Sequence, residues 1–154
     1  MKAKNLVTVV LLLFVAASVV VLVAKGMRPK PAGESTANAP SDGVIAYYFH
    51  GHVRCPTCES IEAFAHEAVS SSFAGETQAG RLRWQVLNYE KPENERFVTE
   101  YEIAAPTVVL VRMAGGEQAD WKNLDRVWEL VGEKAAFVKY VEQETGAMLE
   151  ASGP

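Results

Sequence analysis

Cysteine is scarce in this chain of 154 residues: it has two, Cys55 and Cys58. Without a second pair, a four-cysteine zinc site and a framework of structural disulfides are both excluded. Neither cysteine lies near the N-terminal apolar run, so lipidation at an N-terminal cysteine is excluded as well. There is no Gly-rich phosphate loop, no Gly-x-Ser-x-Gly elbow and no internal repeat. Positive charge is also short. The 19 acidic and 15 basic side chains of the whole chain leave 17 and 10 in residues 43–154, a net formal charge of −7 there. Phosphate contacts require basic patches, so nucleic acid is not the expected partner.

What is present falls into three parts. Residues 6–24, between Lys2 and Lys4 on one side and Lys25 on the other, hold nineteen residues without a charge. A helix of roughly 17 to 25 such residues spans a bilayer. A cleaved signal peptide would have a core of about 7 to 15 residues with a small-residue site close behind it. Ala37-Asn38-Ala39 lies well downstream and is followed by Pro40. The reading is therefore an uncleaved signal anchor over 1–25 that passes once through a membrane. Lys25, Arg28 and Lys30 balance Lys2 and Lys4, so charge leaves the orientation open. Residues 26–42 are rich in Pro, Gly, Ser and Ala and read as a flexible linker. Residues 43–154 are long enough to bury a core of their own.

Within that domain the two cysteines form Cys55-Pro56-Thr57-Cys58, placed between an apolar run, Val44 to Phe49, and a helix. Cys55 suits the N-cap and Pro56 the first helical position, where proline has no N–H to lose and its φ is already helical. Cys58 then lies one turn on, on the same face. That spacing lets the two sulfurs close a disulfide, and the unpaired N–H groups of the helix start favour a thiolate at Cys55. Arg54 adds a cation beside it. His50 and His52 complete His-x-His-x2-Cys-x2-Cys, so a metal-binding or metal-delivery site made of His50, His52, Cys55 and Cys58 is an open alternative. An inert cysteine pair in a redox-inactive adaptor is another.

Periodicity orders the remaining elements. Ile61, Phe64, Ala65, Ala68 and Val69 give a helix from Pro56 to about Ser71 one buried face. Leu82–Asn88 reads as a strand, and Asn94–Glu102 as a helix with Phe97, Val98 and Tyr101 inward. Pro106–Met113 and Glu117–Trp121 read as two strands about the Ala114-Gly115-Gly116 turn. Residues 124–131 fit both periods, part of the fourth strand or a short helix capped by Asn123, with the helix favoured, and Glu133–Thr145 reads as a final helix ended by Gly146. The order β-α-β-α-β-β-α predicts an α/β fold, a mixed four-stranded sheet with helices on both faces. Trp84, Trp121 and Trp128 read as core or core-edge residues.

With these elements in place, the Cys-Pro-Thr-Cys helix start, the Leu87-Asn88 strand end and Tyr101-x-Ile103-x-x-Pro106-Thr107 before an apolar strand resemble the thioredoxin-like fold over roughly residues 43–146. Tyr48-Phe49-His50-Gly51-x-x-Arg54-Cys55-x-Thr57-Cys58 and Trp121–Gly132 are similar, more narrowly, to a small group of bacterial membrane-anchored thioredoxin-like proteins sometimes labelled nitroreductase subunits. No flavin site accompanies them, and no cofactor is expected. The resemblance implies a membrane-anchored thiol-disulfide oxidoreductase acting on protein thiols and disulfides, with a membrane or soluble redox partner and its domain on the extracytoplasmic side. Cys55 would attack and Cys58 resolve, with Arg54, Pro56 and Thr57 supporting. Pro106 would be a cis-proline, and Ala105, Pro106 and Thr107 would bind a substrate chain as an added strand. Two departures stand out. Tyr47, Tyr48 and Phe49 occupy the region where thioredoxins keep a buried aspartate, leaving Glu59, His50 or His52 as proton acceptors. Arg54 replaces the usual tryptophan.

Overall fold

The computed structural model describes residues 40–153, so the expected anchor over 6–24 and most of the expected linker lie outside the described residues. Among the described residues no helix is long and apolar enough to cross a membrane.

The sheet is built around the strand with the most apolar sequence. β1 (Gly43–His50) is buried at every position but the last. A strand can be apolar on both faces only where both faces are covered, and that places β1 in the interior. It pairs in parallel with β2 (Leu82–Asn88) and antiparallel with β3 (Thr107–Ala114), and β3 pairs antiparallel with β4 (Glu117–Asn123). The order β2-β1-β3-β4 is a mixed four-stranded sheet, as the sequence predicts.

Alternate residues of β1 supply two cores. Val44, Ala46 and Tyr48 face α1 (Pro56–Ser72) and α5 (Lys134–Glu150), with Ile61, Ala65, Phe137 and Val141 filling the layer. Ile45, Tyr47 and Phe49 face α3 (Glu95–Glu100), where Phe97 and Tyr101 stack at 5.5 Å between ring centroids. Helices thus cover both faces, which matches the arrangement the thioredoxin-like resemblance implies.

Several boundaries differ from expectation for identifiable reasons. The small-residue stretch after α1 contains a short helix, α2 (Ala74–Gln78). A turn of 3-10 helix, Pro92–Asn94, precedes α3, which ends at Glu100, before the expected Glu102; Glu102 itself sits at φ 53. Gly146 does not end the last helix. α5 runs on to Glu150 because Met148 and Leu149 are buried in the first core, and the ring of Phe73 lies 3.9 Å from where a Cβ on Gly146 would stand. The short helix near residue 124 is α4 (Val127–Leu130), and its N-cap is Arg126. Asn123 instead ends β4. Ser41 and Asp42, at the end of the expected linker, are held against the β3–β4 turn: Gly116 N–H donates to Ser41 O at 2.7 Å and Gly115 N–H to Asp42 Oδ1 at 2.9 Å.

Candidate functional site

β1 and β3 deliver the two halves of the site to one end of the sheet. Phe49 is paired with Thr107, so the loop that leaves β1 for Cys55 and the loop that enters β3 through Ala105 and Pro106 are neighbours. Cys55 is the N-cap of α1 and Pro56 its first residue, as the sequence predicts. Cys55 and Cys58 are joined as a disulfide with their Cα atoms 5.0 Å apart. Cys58 N–H donates to Cys55 Sγ at 3.1 Å. The cap thus directs one of the unpaired N–H groups of the helix start onto the sulfur, an arrangement that stabilises a thiolate there once the bond is reduced. The two sulfurs differ in access. Cys58 is buried, while Cys55 is partly exposed, with Pro56 and Thr57 exposed beside it.

Beneath Cys58 lies Tyr48, fully buried, whose hydroxyl donates to Cys58 O at 2.7 Å. Burial, reinforced by the Glu62 carboxylate and only partly offset by Arg54, pushes its pKa up to about 12. Tyr48 therefore stays protonated at neutral pH and serves as a fixed donor. The Tyr48 hydroxyl thus holds the carbonyl of Cys58.

The residues around the pair are tied to one another. Arg54 forms an ion pair with Glu62, with its guanidinium 6.0 Å from the Tyr48 ring centroid. Its charge is therefore shared with α1 and is not free beside Cys55. His52 N–H donates to Glu90 Oε2 at 2.6 Å, and the His52 ring is bonded to the same carboxylate. These bonds, the backbone one first, hold Glu90 below the usual carboxylate range. Gly51 is buried under that contact, and a Cβ there would come within 2.9 Å of Glu90 Oε1. Next to the loop is a recess of about 360 Å³, open to solvent and lined by Arg54, Glu59, Glu62, Ala63, His66 and Trp84.

The metal alternative does not match this geometry. His50 Nδ1 is 2.7 Å from Gly51 O, His52 is engaged by Glu90, and the sulfurs of Cys55 and Cys58 are bonded to each other. Among the described residues no group of three or more His, Cys, Asp or Glu side chains is placed to hold a metal ion.

On the facing loop, Ala105 and Pro106 are partly buried and Thr107 is buried. The Ala105–Pro106 bond is not the expected cis: no described peptide bond is, and trans is the intrinsically favoured form of X–Pro by about 0.5 to 1 kcal/mol. Two residues on this loop's border escaped the sequence reading. Asn123 accepts from Thr107 Oγ1 at 2.7 Å and donates to Tyr101 O at 3.1 Å. Trp128, expected in the core or at its edge, is 40% exposed and its indole N–H donates to Pro106 O at 2.8 Å. The signal for Trp128 was its place directly after the core residue Val127, on a helix too short to bury two faces.

No family model and no curated protein matches the chain. Solved structures similar to it include human ERp44 in its zinc-bound form (16% identity, TM-score 0.47, 77% of this chain and 30% of that one). Others are a thioredoxin from Thermus thermophilus (20%, TM-score 0.42, 75% and 83%) and oxidised thioredoxin O2 from Arabidopsis thaliana (16%, TM-score 0.40, 70% and 84%). At these identities the likeness concerns fold alone, and this chain spans less than a third of the ERp44 chain.

Proposed function

We propose that the chain is a membrane-anchored thiol-disulfide oxidoreductase, held by residues 6–24 in the cytoplasmic membrane with its domain on the extracytoplasmic side. The observation that carries the chemistry is the asymmetry of the disulfide: Cys55 is at the helix N-cap and partly exposed, and Cys58 is buried behind it. The narrower likeness to bacterial membrane-anchored thioredoxin-like proteins supports the location and belongs to the same proposal.

In the reducing direction, the Cys55 thiolate attacks one sulfur of a substrate disulfide. That disulfide breaks, a bond forms between Cys55 Sγ and the attacked sulfur, and the other substrate sulfur leaves as a thiolate and takes up a proton. Cys58 then loses its proton and attacks Cys55 Sγ, which breaks the mixed bond and releases the second substrate thiol. The substrate disulfide becomes two thiols and the protein dithiol becomes a disulfide. The reverse sequence introduces a disulfide into a dithiol substrate. Ala105, Pro106 and Thr107 hold the substrate backbone beside Cys55.

The test is the reduction potential of the full chain in mild detergent, equilibrated against a glutathione series with free thiols counted. A value near −270 mV makes the protein a reductant that needs an electron source, and one near −120 mV makes it an oxidant. Cys58→Ser should trap protein partners through Cys55 in a form that reducing agent releases. Thiols that never oxidise across the series, together with no trapped partner, would sink this reading.

A further inference from the structure

The loop that faces the disulfide is pinned by two side chains from the β4–α4 segment, and their arrangement has a consequence for substrate choice. Residues 102–106 join α3 to β3 across the end of the sheet where Phe49 pairs with Thr107. Glu102 holds a left-handed φ of 53, which a non-glycine residue keeps only when its surroundings fix it. Asn123 supplies that fixation at both ends of the loop at once: its Oδ1 takes the Thr107 hydroxyl and its Nδ2 binds Tyr101 O. Trp128 Nε1 fixes its last residue through Pro106 O. The pins have a firm base. Leu124 and Val127, between them, are fully buried, and Leu124 N–H donates to Val108 O at 2.8 Å.

A tryptophan 40% exposed is not placed for burial, and its N–H is spent on a loop carbonyl. That bond engages Pro106 O, and proline has no N–H to offer. Ala105 is the next residue back, and among the described residues its backbone N–H and C=O make no hydrogen bond. These two groups, next to the pinned Pro106 and only partly buried, are open to an incoming strand.

We propose that Asn123 and Trp128 are positioning residues that present Ala105 to a polypeptide, and that they set a preference for disulfides carried on an extended chain over small disulfides. The proposal rests on the thiol-disulfide reading above. A peptide pairs with Ala105 through its backbone and needs the loop in one place. A small disulfide meets Cys55 with no backbone to pair.

The test compares two probes on the reduced full chain in detergent: a synthetic peptide with one internal disulfide, and 2-hydroxyethyl disulfide. Trp128→Phe keeps an aromatic ring and deletes the N–H. Asn123→Asp keeps the acceptor for Thr107 and deletes the donor to Tyr101. Each should lower the ratio of peptide to small-disulfide rate constants by about fivefold, the size of one hydrogen bond between neutral groups. A general loss of folding would lower both rates together and leave the ratio unchanged, and an unchanged ratio in both variants overturns the proposal. Wild-type protein that exchanges with neither probe overturns the thiol-disulfide reading itself, and this inference with it.

Discussion

Replacing Tyr48 by phenylalanine removes one buried oxygen, and the effect on stability should shrink as pH rises. At pH 7 the loss is the hydrogen bond to Cys58 O. That carbonyl lies in the first turn of α1, whose ladder gives it a second donor, so it is not orphaned. The cost is then that of one ordinary hydrogen bond, about 1 kcal/mol. At high pH a second effect opposes it. The unfolded chain ionises Tyr48 near pH 10, whereas the folded protein holds its proton until about pH 12. Because the folded state binds that proton more tightly, the stability it contributes is intact below pH 10 and is lost as pH rises from 10 to 12. By pH 11 the loss is on the order of 1 kcal/mol, comparable to that hydrogen bond. Tyr48→Phe has no such penalty. The wild-type protein should therefore be the more stable by about 1 kcal/mol at pH 7, and most of that advantage should be gone near pH 11.

Urea unfolding of both proteins at pH 7, 9, 10 and 11 measures this difference directly. The pKa values of Tyr47, Tyr89, Tyr101 and Tyr140 are also raised, chiefly by burial, but these residues are common to both proteins and cancel. A difference that stays flat across the series would refute the buried, protonated hydroxyl beneath Cys58.

Three further outcomes follow from the same structure. Gly43→Ala places a Cβ 2.2 Å from Arg81 O at a φ of +143, and urea unfolding should show a loss of about 3 kcal/mol or more; a change within 0.5 kcal/mol would be inconsistent with that contact. Thr107→Val leaves Asn123 Oδ1 without its donor beside a buried position and should cost about 1 to 3 kcal/mol, read as a lower Tm. Glu90→Gln should speed amide hydrogen exchange at His52, whose N–H now donates to a carboxylate at 2.6 Å. Unchanged exchange there would mean that Glu90 does not hold the loop before Cys55.

The sequence was most legible where one physical signal acted alone. Val44–Phe49 is apolar at every position and became the central strand. Leu82–Asn88 was bounded correctly at both ends, and α1 began at Pro56 because a cap residue and a first-turn proline agree there. It misled where tertiary contact outweighed a local cue. Gly146 is a helix-ending residue by propensity, yet the burial of Met148 and Leu149 carried α5 past it. Asn123 has the side chain of a helix cap, and its amide was taken by Thr107 and Tyr101, residues remote in sequence. His50 and His52 had metal-ligand spacing, but Glu90, 38 residues away from His52, engages one of them. Such pairings leave no periodic trace, so no window of the sequence reports them.

This division also separates what stabilises the fold from what shapes its chemistry. The two cores are made from alternate residues of β1, so Tyr48, which bonds Cys58 O, and Phe49, which pairs with Thr107, belong to the same strand read on its two faces. Changing that strand alters stability and reactivity together. The reactive end beyond it is fixed by polar contacts: Arg54 to Glu62, His52 to Glu90, Asn123 to Thr107, Trp128 to Pro106. All four reach from one loop or element to another, and each is at least partly open to water. Bonds of that kind are local, so each sets where a backbone or side-chain group points without building either core. The loops about the disulfide can therefore vary in sequence, and with them the substrates accepted, while β1 and its two cores stay as they are.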